Sequence, residues 1–165
     1  YLDLVLHGRI HTLASNTQNL RDAVAESDLV IGGVLLPGAK APKLVTADMV
    51  ASMKKGTVVV DVAIDQGGCF ETSKPTSHSN PVYDVDGVTH YCVTNMPGAV
   101  ARTSTLALSN VTLPYGLALA DNGLAGAVAR YPELAPGINV LGGQITYQAV
   151  ADAFGLPYVA WNQVA

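Results

Sequence analysis

The chain has 165 residues, 49% of them hydrophobic and only 13% charged, with a formal net charge of −4. That length supports one domain, or one and a fraction, able to bury roughly 70% of its unfolded surface. The balance leaves no basic footprint for nucleic acid, and so low a charge load suggests that part of the apolar surface belongs against another segment or subunit. Apolar runs such as Val34-Leu35-Leu36 and Val58-Val59-Val60 are far too short to span a membrane. Tyr1-Leu2-Asp3 shows no basic region of a signal peptide, and a start at Tyr is what a fragment would show. Cys69 and Cys92 have no CxxC spacing and read as two reduced, buried thiols of a cytosolic protein.

In chain order, residues 8–13 suggest a short strand. Ser15 and Asn16 are N-cap candidates for a helix running to about Ser27. Residues 28–34 are consecutively apolar, as in a strand covered on both faces, and Pro37-Gly38 ends it. Thr46 should cap a helix that ends in a basic turn, Lys54-Lys55, with Gly56 as its C-cap. Residues 57–64 read as a second buried strand, 65–86 as a loop rich in Gly, Ser, Thr and Pro, and 88–93 as a third strand. Strands alternating with helices predict an open parallel sheet. Beyond Pro97 the texture becomes helical. One long helix is expected over 99–122, kinked or strained at Pro114, followed by a helical piece over 124–129. A loop marked by Pro132, Pro136 and Gly137 precedes a last helix over 144–154, stopped by Gly155. These readings divide the chain into residues 1–98 and 99–165.

Open parallel sheets bind ligands at the carboxyl ends of their strands. That rule selects residues 34–40, 64–68 and 94–98. Asp65 ends the second strand and precedes Gly67 and Gly68, where backbone can approach a ligand closely. Its carboxylate could bind substrate or move a proton; the bland alternative is a turn residue capping its own backbone. Asp61, inside the strand, reads as a structural group bonded to neighbouring backbone. The Asn95-Met96-Pro97 corner could face a flat ligand or simply turn the chain. Lys40 and Lys43 could meet a phosphate, though solvated loop lysines are commoner. His7, His11, His78 and His90 lack metal-ligand spacing, so no metal site is expected. The G-x-G-x-x-G, Walker and G-x-S-x-G motifs are absent.

At these strand ends the sequence resembles the alanine dehydrogenase family. The resemblance rests on Val34-Leu35-Leu36-Pro37-Gly38-Ala39-Lys40, on Val60-Asp61-Val62-Ala63-Ile64-Asp65-Gln66-Gly67-Gly68-Cys69-Phe70-Glu71, and on Tyr91-Cys92-Val93-Thr94-Asn95-Met96-Pro97-Gly98. It extends over essentially the whole chain and corresponds to somewhat less than the second half of a family member. It implies an α/β fold: a partial Rossmann-like parallel sheet, the second half of an NAD-binding domain, over residues 1–98. The connecting long helix and a helical segment of the substrate domain would follow over 99–165. The implied activity is NAD-dependent, reversible oxidative deamination of L-alanine to pyruvate and ammonia, by a cytoplasmic homohexamer. By position, Asp65 resembles the catalytic aspartate. Ser15 resembles a contact to the adenosine end of NAD, and Val34 and Leu35 resemble its adenine side. Val62, Ala63, Ile64 and Asp65 resemble one wall of the nicotinamide pocket, and Val93, Thr94, Asn95 and Met96 the other. The family's glycine-rich turn, ribose-binding acid, substrate-binding arginine and lysine, and catalytic histidine would lie before Tyr1. The 165 residues alone would thus be an inactive fragment. The competing readings are the NAD-binding module of a proton-translocating transhydrogenase and a non-catalytic scaffold piece.

Overall fold

A computed structural model describes residues 1–164. The chain forms two compact units, residues 1–35 with 40–94, and residues 36–39 with 95–165.

The first unit holds a four-stranded sheet in the order β1-β2-β4-β3. Its strands are β1 (Leu29–Gly32), β2 (Val58–Asp61), β3 (Val82–Val85) and β4 (Val88–Tyr91). β1 pairs parallel with β2 from Leu29↔Val58 to Gly32↔Asp61, and β2 pairs parallel with β4. The three strands expected to be parallel are so. Two helices supply the apolar cover, α2 (Thr17–Glu26) and α3 (Ala47–Ala51), after a single opening turn, α1 (Leu2–Val5). Val24, Met49, Val50 and Met53 meet Val59, Val88 and Phe70 in one core cluster. Burying each such side chain contributes roughly 1.5–3 kcal/mol.

Several boundaries differ from the sequence reading, each for a physical reason. Residues 8–13 make no strand: His7 and Gly8 both turn through positive φ and the segment lies largely exposed. Asn16, not Ser15, caps α2, its side chain accepting from the Asn19 N–H at 2.9 Å. β1 is not covered on both faces. It is an edge strand, and Leu29 and Ile31 are exposed because the helices pack on the opposite side. Thr46 precedes α3, but its hydroxyl bonds the Asp48 carboxylate and leaves the cap role to Glu71, which accepts from the Ala47 N–H at 2.7 Å. α3 ends at Ala51, so Lys54-Lys55-Gly56 is a separate turn; Gly56 N–H donates to the Gly87 carbonyl at 2.8 Å. Part of the expected loop over 65–86 is β3, antiparallel to β4 through an Asp86-Gly87 turn with both residues at positive φ. That is the geometry of a tight two-residue hairpin, and Asp-Gly is its sequence signature.

The second unit is built on α4 (Ala101–Arg130). Its backbone leaves helical angles at Gly123 (φ 64°, ψ −178°) and not at Pro114. That conformation is essentially restricted to glycine. Gly123 therefore divides the helix where the sequence divides it, whereas the expected kink at Pro114 does not form. A 3-10 turn (Pro132–Gly137) follows, then a hairpin of β5 (Val140–Leu141) and β6 (Gln144–Ile145), and α5 (Gln148–Phe154). The hairpin turns on Gly142-Gly143, both at positive φ, and it takes Gln144 and Ile145 out of the expected last helix. Gly155 ends α5 in the left-handed conformation, as expected. Among the described residues, no helix is long and apolar enough to cross a membrane.

Candidate functional site

At the carboxyl ends of β1 and β2 the first unit opens a cleft of about 260 Å³, lined by Gly33, Val34, Leu35, Val62, Ala63, Asp65 and Gln66. It lies where the strand-end rule places a ligand.

The cleft's floor is a turn that the sequence reading took for strand. β2 stops at Asp61 because that residue's own side chain competes for the backbone, Oδ1 accepting from the Ala63 N–H at 3.1 Å. Residues Val62–Gln66 then form a 3-10 turn. Gly67, at φ 97°, closes it by donating to the Ile64 carbonyl at 3.0 Å, and Gly68 donates to the Ala63 carbonyl at 2.9 Å. Asp65 stands exposed on this turn. Its carboxylate accepts no hydrogen bond and joins no ion pair among the described residues.

The Asp61 side chain is completely buried and gathers further donors. Oδ2 accepts from the Cys69 N–H at 2.9 Å and from the Ser73 hydroxyl, and the Cys69 thiol donates to Oδ1 at 3.4 Å. Burial, and then the Asp61 charge, push the Cys69 thiol up to about 11. The sequence reading of Asp61 as a structural group agrees with these bonds. A Cβ on Gly68 would stand 2.5 Å from Asp61 Oδ2, so this glycine lets backbone approach a carboxylate from its own chain. Lys43 braces the same segment: its ammonium donates to the Phe70 carbonyl at 3.0 Å and to the Gly67 carbonyl. It is neither a free loop lysine nor, in this arrangement, turned to a phosphate. A second polar layer lies beyond. Tyr83 donates to the Thr72 carbonyl at 2.9 Å, His90 meets the Thr72 hydroxyl at 2.8 Å, and the Tyr83 and His90 rings stack.

Of the residues singled out from the sequence, Val34, Leu35, Val62, Ala63 and Asp65 come together around the cleft. Ile64 is buried beneath it. Ser15 lies exposed just before the α2 cap. Val93 is fully buried and bridged to Thr76, and Thr94 donates its N–H to the Thr76 carbonyl at 3.2 Å. Asn95 and Met96 belong to the second unit, where Asn95 adopts the left-handed conformation (φ 56°) before the turn Met96–Val100. The sequence reading passed over Gly33 and gave no role to Gln66, although it selected residues 64–68 as a strand end where a ligand would bind. Gly33 has nothing within 4 Å of where its Cβ would be, and Gln66 Oε1 is buried without a hydrogen-bond partner among the described residues. The signal for Gln66 was its place directly after Asp65 in a glycine-closed turn.

The residues present fit one end of a dinucleotide. The walls are aliphatic, the polar groups sit together at Asp65-Gln66, and Gly33 leaves its backbone uncovered on the cleft. At about 260 Å³ the cleft falls below the roughly 300–1,000 Å³ of sites that enclose a whole organic ligand. It can hold a ring and its substituent, with the rest of a dinucleotide lying outside it.

Such a cleft lies at the carboxyl ends of a mostly parallel sheet, where α/β folds bind their ligands. The family described as alanine dehydrogenase/PNT, C-terminal domain, matches residues 1–148, and the chain belongs to it. Alanine dehydrogenase from Halomonas elongata is 63% identical over 158 residues, which is 96% of this chain and 43% of that protein. Alanine dehydrogenase from Methanococcus maripaludis is 55% identical over 159 residues, again 96% and 43%. Among solved structures, an L-alanine dehydrogenase superposes with a TM-score of 0.78 at 50% identity, over 94% of this chain and 43% of its own. It has the same mostly parallel sheet and helices. A transhydrogenase from Sinorhizobium meliloti is a weaker likeness, with a TM-score of 0.56 at 33% identity over 66% of this chain and 30% of its own. The chain thus spans less than half the length of the relatives it matches.

Proposed function

We propose that this chain is the carboxyl-terminal part of an NAD-dependent alanine dehydrogenase, and that Asp65 carries proton-transfer chemistry there. Residues 1–98 are the second half of the NAD-binding domain, and 99–165 the connecting helix and a helical segment of the substrate domain. The observation that carries this reading is the carboxylate of Asp65, exposed and unpaired beside an aliphatic cleft. Val34, Leu35, Val62 and Ala63 would hold the dinucleotide by apolar contact, with Ser15, Ile64, Val93, Thr94, Asn95 and Met96 as further contacts. NAD supplies the hydride acceptor. Oxidation of L-alanine at its α-carbon gives an iminium ion, to which water adds before ammonia leaves and pyruvate forms. Asp65 stabilises the positive charge and accepts a proton as water attacks. The assembly is a cytoplasmic homohexamer.

The test uses the full-length protein containing this chain. Mixing it with NAD and L-alanine should raise NADH absorbance, and pyruvate with ammonia should reverse the signal. Absence of both, with the protein folded, would refute the dehydrogenase reading. For the isolated 165 residues, NAD binding should be weak or absent, because no glycine-rich phosphate cradle is present in them. Calorimetry giving a micromolar Kd for the isolated chain, about −8 kcal/mol, would show that the groups of these 165 residues suffice.

A further inference from the structure

Four donors converge on one buried carboxylate directly beneath the turn that carries Asp65. They come from both ends of the segment. Ala63 N–H lies at its beginning, Cys69 N–H and Sγ–H at its end, and the Ser73 hydroxyl just beyond. We propose that Asp61 is a positioning residue: its carboxylate clasps the two ends of the 62–69 segment and so fixes where Asp65 stands, an inference that rests on the catalytic reading of Asp65 given above.

Other bonds each hold one part of the segment. Beyond the 3-10 turn's own bonds, Gly67 and Gly68 donate to the Ile64 and Ala63 carbonyls. From outside, Ala41 N–H donates to the Gln66 carbonyl at 2.8 Å, Leu44 and Val45 N–H donate to the Cys69 carbonyl at 2.9 and 3.1 Å, and Lys43 braces the Gly67 and Phe70 carbonyls. The bonds to Asp61 tie the segment's first residues to its last through one side-chain carboxylate, alongside the single backbone bond from Gly68 to Ala63. That group projects from a strand paired on both sides. Two adjacent glycines at positive φ, Gly67 and Gly68, make the segment intrinsically permissive, so a clasp is needed to select one conformation. Gly68 also explains the tightness of the clasp, since no side chain fits between it and Oδ2. An amide in place of the carboxylate keeps the shape but offers one acceptor atom instead of two. Its NH₂ group would face donors at Cys69 or Ala63. The clasp should loosen while the core stays packed.

The test compares wild type, Asp61→Asn and the milder Ser73→Ala in the full-length protein. First, amide hydrogen exchange is followed without any ligand. In Asp61→Asn, exchange over residues 62–70 should accelerate roughly 10- to 100-fold, with β1 and β4 unchanged; Ser73→Ala should move the same segment by less. Second, NAD binding stoichiometry and L-alanine-dependent turnover are measured together. Turnover per bound NAD should fall roughly 10- to 100-fold in Asp61→Asn, as expected of a misplaced catalytic group, with NAD stoichiometry kept. A merely structural role would lower stoichiometry and leave turnover per bound NAD as in wild type. Unchanged exchange over 62–70 overturns the clasp. Accelerated exchange with wild-type turnover per bound NAD overturns the positioning role. If the wild-type protein itself lacks alanine-dependent NAD reduction, the functional reading fails and the positioning role fails with it, while the exchange rates still decide the clasp.

Discussion

Asp65→Asn in the full-length protein is expected to lower alanine-dependent turnover by roughly 10²- to 10⁴-fold, the range for removing a positioned acid–base group. The substitution preserves shape and removes charge. The carboxylate has no protein partner among the described residues, so no bond of the fold is lost with it. The folded fraction and the melting temperature should therefore stay as in wild type. NAD affinity should change much less than turnover, because the apolar walls at Val34, Leu35, Val62 and Ala63 are untouched. Steady-state kinetics with NAD and L-alanine, beside an independent NAD titration, separates the possibilities. Near-normal turnover would return Asp65 to the part of a turn residue. Normal turnover at saturating NAD, with weakened binding, would move it from catalysis to cofactor recognition.

Phe70→Ala is expected to destabilise the first unit by about 3–5 kcal/mol, the usual range for emptying an aromatic site in a core. Phe70 is fully buried in the cluster with Met49, Val50, Val59 and Val88. It is also held from the backbone: Val45 bridges to it in parallel, and its ring lies so close to Gly32 that a Cβ there would come within 2.6 Å of Cε2. Neighbours fixed on paired strands cannot collapse far into the space, which places the expectation toward the upper part of the range. Urea unfolding of the isolated chain, followed by a probe in the sheet, measures it. Leu35→Ala is the control. That side chain is 64% exposed, and its loss should stay within about 0.5 kcal/mol. A midpoint shift as small for Phe70→Ala as for Leu35→Ala would mean that the core does not depend on this ring.

β1 and β2 were legible because Leu29-Val30-Ile31 and Val58-Val59-Val60 are runs of branched aliphatic residues, and such runs mark strands in parallel pairing, whereas β4, Val88-Thr89-His90-Tyr91, has only one such residue. The same runs misled about cover. Residues 28–34 read as buried on both faces, yet Leu29 and Ile31 are exposed, since continuous apolarity records what a strand can bury and not what this chain supplies to bury it. The hairpin β3–β4 was hidden by its polar alternation, Val82-Tyr83-Asp84-Val85, although Asp86-Gly87 announced the turn. Pro114 was overweighted: a proline removes one helical bond, and α4 absorbs that loss, whereas Gly123 adopts angles that no helix contains. At the site, the strand-end rule located Asp65. It could not show that β2 ends early, because the cause is a side chain, Asp61, whose reach to Ala63 and Cys69 is set in three dimensions.

The sulfur of Cys69 touches the Asp61 carboxylate, and burial, with that charge added, sets its chemistry. A thiol raised to about 11 by burial and a neighbouring carboxylate holds about one thiolate in 10⁴ molecules at neutral pH. Thiolate, not thiol, attacks electrophiles and peroxides. The thiol is thereby kept largely protonated four residues from Asp65, to which we assign proton transfer. Cys69 therefore offers little thiolate to oxidants or alkylating agents while the fold holds.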